Sequence, residues 1–192
     1  MAMNDTTSVL NALDEHLHPE SIQKMSAQLG MDTATTSKAV SMAIPILLGG
    51  LARNVSNADG AASLDKALTA HGGGIAGAAG AAILGHILGS RRASVEDGLG
   101  RATGLDAQKI APLLAMLAPL VMNVLGRMKR DQSMDAEKLP EVLGQANLDM
   151  ARQSPAVGDL SRVLDGDDAS KISDDIARIG STVLGGLLGE PV

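Results

Sequence analysis

The chain has 192 residues, a formal charge of −6 at pH 7, and no Phe, Tyr, Trp or Cys. That length holds one domain, or one domain with an appendage. The acidic balance argues against a non-specific binder of nucleic acid or anionic membrane; the missing rings remove stacking platforms and bilayer-interface anchors, and the missing thiols exclude disulfides and thiolate zinc sites.

A core without rings must be built from Leu, Ile, Val, Met and Ala, and the 22 glycines suit helices that approach closely. The N-terminus, MAMNDTTSVLNALDEH, has neither a basic nor an apolar signal region, so a cytoplasmic protein is expected. Val9, Leu10, Leu13 and Leu17 predict a short amphipathic helix over residues 6 to 17. Pro19 suits the first turn of a second helix that ends at Gly30, and Asp32 caps a third. Between them, Gly30-Met31-Asp32 reads as a left-handed stop, an apolar residue folded back, and a new start. The third helix runs through Val40, Ile44, Leu47, Leu48 and Leu51. Pro45 sits inside it, which predicts a bend near Ser41 to Pro45 or a break into two helices. Leu64, Ala67 and Leu68 mark a short fourth helix.

The segment from Gly72 to Gly89 carries no formal charge. It predicts a helix of about 13 residues from near Gly74 or Ile75, buried by close packing, with the pairs Gly73/Gly77 and Gly85/Gly89 spaced to lie each on one helix face. Its Ala and Gly content and His86 make a membrane span the poorer reading. Ser94 to Asp97 resembles a capping box opening the helix that stops at Gly104. Then comes the most apolar stretch, Gly104 to Arg127, with Ile110, Leu113, Leu114, Leu117, Val121 and Val124 on one face and alanines and methionines on the other. A helix apolar all round is a membrane span or the centre of a helical domain, and the second is expected. Leu139, Val142 and Leu143 mark a following helix, with Ser133 or Asp135 as its cap. A last helix over about 169 to 188 carries Ile172, Ile176, Ile179, Val183 and Leu187 on one stripe.

A shift of 74 residues superposes Gly30 on Gly104, Asp32 on Asp106, Met42 on Met116, Pro45 on Pro119, Leu51 on Leu125 and Arg53 on Arg127. Both stops, both starts and the interior proline recur, which points to a duplicated helix–turn–kinked-helix unit, at about 22–70 and 96–145. The expected organisation is all-α: a compact domain over 1–145 and a C-terminal helical extension over 146–192.

Chemistry is harder to find. His16 and His18 lie on different helix faces with no third ligand nearby in sequence, and Asp165, Asp167 and Asp168 fail the EF-hand spacing. His86, inside an apolar stretch, is expected to bond a backbone carbonyl. His71-Gly72-Gly73-Gly74 lacks the Gly-x-Ser-x-Gly partner of a lipase, and the glycines from Gly98 to Gly104 follow no strand, so neither marks a catalytic or dinucleotide site. No enzyme, metal or cofactor is expected.

Two non-catalytic readings have residues behind them. Val183-Leu184-Gly185-Gly186-Leu187-Leu188-Gly189 resembles Ile83-Leu84-Gly85-His86-Ile87-Leu88-Gly89. The leading expectation is therefore a self-associating structural or interaction protein, with Gly85, Gly89, Val183, Leu184, Leu187 and Leu188 as contact candidates. Met25 to Ser41 also resembles the helix–turn–helix of the lac repressor family, which would set Thr33, Thr35, Ser37 and Lys38 toward the DNA major groove. The single basic residue there and the acidic chain make nucleic acid the alternative partner. A Met- and Leu-lined core with kinked helices leaves an apolar-ligand carrier as a further alternative.

Ile44-Pro45-Ile46-Leu47-Leu48-Gly49-Gly50-Leu51-Ala52, Ile83 to Gly89, and Met116-Leu117-Ala118-Pro119-Leu120-Val121-Met122, in this order and spacing, resemble the YidB-like bacterial proteins of unknown function (DUF937 type). The resemblance covers about residues 8 to 130 and implies an all-helical fold. It implies no activity, cofactor or site residue.

Overall fold

The computed structural model describes residues 7–56, 58–71, 78–131, 135–153, 155, 159–160 and 169–188. They form α1 (Thr7–His16), α2 (Pro19–Leu29), α3 (Thr33–Asn54), α4 (Ala58–His71), α5 (Ala78–Leu88), α6 (Arg92–Thr103), α7 (Ala107–Asp131), α8 (Leu139–Gln153) and α9 (Ala169–Leu188). Short 3-10 turns at Gly89–Arg91 and Ala136–Lys138 lead into α6 and α8. The fold is all-α.

Two long rods, α3 and α7, form its centre and pack on one another. From Met42 to Leu51 every residue of α3 is buried. In α7, Ile110, Leu113, Leu114, Leu117, Ala118, Val121 and Leu125 are fully buried. Both helices are long and apolar enough to cross a membrane by length and composition, and in this fold both are mostly covered by protein. The remaining helices form that cover. α1, α2, α4, α5 and α6 pack on α7; α2, α5, α6 and α8 pack on α3.

The two rods begin alike. Gly30 (φ 59°) and Gly104 (φ 72°) adopt the left-handed conformation that ends α2 and α6. The next amides fold back, Met31 N–H to Ser26 O at 2.9 Å and Leu105 N–H to Gly100 O at 3.1 Å. Asp32 then accepts from the Thr35 amide at 2.8 Å, and Asp106 from the Gln108 amide at 3.3 Å.

Neither rod is broken at its proline: α3 is continuous through Pro45, and α7 through Pro112 and Pro119. The reason differs between them. Pro45 deprives the Ser41 carbonyl of its donor, and Ser41 lies on the exposed side of α3. Pro119 deprives the Ala115 carbonyl, and there α5 closes in. The position a Cβ on Gly80 would take lies against Ala115 O, so only glycine lets the α5 backbone lie against that oxygen.

Gly80 is thus the close-packing glycine of α5; Gly85, expected to be buried, is exposed with nothing within 4 Å of its missing Cβ. The capping box is also displaced. Ser94 lies inside α6, because the left-handed Gly89 (φ 55°) turns the chain earlier and the helix starts at Arg92, whose Nε meets Glu96 at 2.6 Å.

α9 lies along α6 of the same chain. The seam has small residues on both sides. A Cβ on Gly98 would lie 2.7 Å from Ile176 Cβ, and one on Gly180 would strike Met42 and come within 2.7 Å of Ala102 Cβ. Ile172 and Ile176 are buried there with Val95 and Leu99. At the edge, Arg101 reaches Asp97 on its own helix and Ser173 and Asp174 on α9, both of the latter at 2.7 Å. Bonding to Asp174 raises the Arg101 pKa further above its ordinary value.

Candidate binding cleft

α4 and α5 each lean on α7 and α3 without closing on one another. The gap is a cleft of about 610 Å3. Such a volume lies within the range of about 300–1,000 Å3 usual for small-molecule sites. Its apolar lining is Leu51 from α3, Leu64 and Ala67 from α4, Ile83 and Ile87 from α5, and Met122 from α7. Leu51, Leu64, Ile87 and Met122 belong to the buried core, and Ala67 and Ile83 are partly buried against it, so the cleft opens onto the core's edge.

The polar lining comes mainly from the end of α3. Asn54 donates its amide to His86 O at 2.8 Å and Ile87 O at 3.3 Å, so it satisfies carbonyls at the C-terminus of α5 and fixes that end against α3. The Ser56 hydroxyl donates to Arg53 O at 2.7 Å and closes the turn after α3. Arg53, Ser63 and His86 also line the cleft. Ser63 and His86 are not hydrogen-bonded to each other among the described residues. The lining contains no carboxylate, and the half-buried Arg53 guanidinium has no ion-pair partner among the described residues. Asp65 on α4 is held instead by Lys129 of α7 at 2.5 Å. The cleft therefore carries, among the described residues, an apolar lining with one positive charge, in a chain of net negative charge.

His86, expected to be satisfied within an apolar surrounding, is exposed, and it is its backbone carbonyl that is bonded. α5 is apolar toward α7 through Leu84, Ile87 and Leu88, while Ala81, Ala82, Gly85 and His86 face outward.

Of the other self-association candidates, Gly89 is exposed and makes the left-handed turn after α5. Val183 is buried at 6 % exposure and Leu184 is half-buried against the core. The side chains of Leu187 and Leu188 lie outside the described residues.

The four residues of the helix–turn–helix reading lie in the first turns of α3. Thr33 and Ser37 are exposed, and Thr35 and Lys38 are half-buried. Thr36 between them is buried, with its hydroxyl on Asp32 O at 2.8 Å. Hydrogen bonding from the Thr35 side chain, then from its amide, holds the Asp32 carboxyl below its ordinary range. Lys109 of α7 donates to Gly30 O at 3.1 Å, so the turn is braced from the second rod.

His16 lies 3.4 Å from Arg127 Nη1 at the side of α7. No three His, Asp or Glu residues come together at metal-binding distance among the described residues. Residues 72–74 of the His71 motif, Ser133 and the acidic loop 165–168 lie outside them.

The family model described as bacterial protein of unknown function (DUF937) matches residues 11–128, which covers α3, all but the last three residues of α7, and every residue lining the cleft. The chain belongs to that family. No curated protein and no solved structure matches it.

Proposed function

We propose that this member of the family is a non-catalytic interaction protein that self-associates through the outward face of α5. One observation carries the reading. Gly85 stands on the exposed face of α5 with nothing within 4 Å of where its Cβ would be, so packing inside the chain does not account for it. A glycine there costs about 1 kcal/mol of helix stability relative to alanine. Ala81, Ala82 and Gly89 are exposed beside it, so a second backbone can approach this surface closely. A copy of the same helix is the simplest complementary surface, related by a two-fold axis. The C-terminal stripe supports this less, since Val183 and Leu184 are used within the chain.

Sedimentation velocity over a broad concentration range tests it. The wild-type chain should move from monomer to dimer or larger species as concentration rises. Gly85→Leu should stay monomeric with unchanged helicity. A wild-type chain that remains strictly monomeric at high concentration removes the proposal.

A further inference from the structure

The cleft between α4 and α5 supports an inference that holds for the single chain, whether or not it pairs. We propose that it is a ligand site for a single-chain amphiphile with one anionic head, a fatty-acid-like carboxylate, whose head is held by Arg53 and whose tail lies over Leu64, Ile83, Ile87 and Met122.

The recess and its charge are complementary to such a molecule. The apolar lining comes from four separate helices, so it is a built recess and not the flank of a single helix. It needs an apolar occupant to leave water, and its volume suits a small molecule better than a folded partner. The polar groups then decide the head. Asn54 is engaged with the end of α5, and Ser56 with the turn after α3. The charged group that remains is Arg53, whose guanidinium has no carboxylate among the described lining residues to neutralise it. A planar guanidinium beside a low-dielectric wall takes a carboxylate through paired N–H donors. The exposed Ser63 hydroxyl and the His86 ring lie along the same cleft and can donate to the same head. An amphiphile with a cationic head meets the wrong charge at Arg53.

Isothermal titration of the full chain with dodecanoate, and in parallel with dodecyltrimethylammonium, reads both parts of the proposal. Dodecanoate is expected to bind once per chain, and the cationic amphiphile about tenfold or more weakly. Arg53→Gln should weaken dodecanoate by a similar factor and strengthen the cationic amphiphile, which no longer meets a like charge. Ala67→Met, which fills the recess, should weaken both. Methyl NMR on the wild-type chain gives a readout that no variant's folding can confuse: dodecanoate should shift Leu64, Ile83, Ile87 and Met122 before any methyl of α9. Absence of one-to-one binding, equal binding of the two amphiphiles, or shifts centred elsewhere overturns the proposal.

Discussion

Replacing Gly80 by alanine sets close packing against helix propensity on one helix. A methyl at position 80 would strike Ala115 O, lie 3.0 Å from the carbonyl carbon of Ala115 and 3.4 Å from Pro119 Cγ. The first two neighbours are backbone, so no side chain can swing away, and α5 must lift from α7. Leu84, Ile87 and Leu88, each at most 4 % exposed, lose contact as it does. Overpacking of this kind costs about 1–3 kcal/mol, with a rigid backbone obstacle at the upper end. Alanine returns about 1 kcal/mol of helix propensity. The net loss is about 2 kcal/mol, or about 4–8 °C in Tm for a chain of this length. Gly85→Ala, on the open side of α5, meets no obstacle and should gain about 1 kcal/mol, or about 2–4 °C. Thermal unfolding followed by circular dichroism at 222 nm, at concentrations where the chain is monomeric, measures both. A Gly80→Ala chain as stable as the wild type would refute the reasoning about Pro119 and its freed carbonyl.

Leu117→Asp puts an unpaired carboxylate at a fully buried position of α7 and should cost more than about 4 kcal/mol, visible as loss of the cooperative melting transition. Gly98→Val sets a side chain into Ile176 and Ser173, so hydrogen exchange should quicken along α9 while α3 stays protected. Because the folded Asp32 carboxyl is held below its unfolded value, its cap contributes stability above that unfolded value and loses it as pH falls through the folded one. Asp32→Asn keeps an acceptor for the Thr35 amide and should flatten that part of the pH–stability curve; an unchanged acid limb would count against the capping role.

The helices were legible because their punctuation is local chemistry. Gly30 and Gly104 stop helices by adopting a conformation other residues avoid, and Asp32 starts one through its own oxygen, so sequence alone placed those junctions. The length of α9, 169 to 188, followed from its apolar stripe in the same way. What the sequence did not disclose depends on which neighbour each face meets. Gly80 and Gly85 look equivalent in the chain, yet one lies under α7 and the other faces out. Pro45 read as a bend or a break because the sequence does not show that Ser41 lies on the open side, and that Ala115 O is met by α5 at Pro119 was equally hidden. The cleft was hidden for the same reason. Arg53 was visible only as the counterpart of Arg127, and that it lines an apolar recess while Arg127 lies beside His16 is a property of the surrounding helices.

The cleft and the outward face of α5 both depend on α3 and α7 being the shared centre of one protein fold. Native-state hydrogen exchange in detergent-free buffer tests this most directly. Amides from Ala43 to Leu51 and from Leu113 to Leu125, prolines aside, should exchange last and together, only through global unfolding. Exchange in either stretch as fast as in α1, or a chain that stays folded only in detergent, would contradict it.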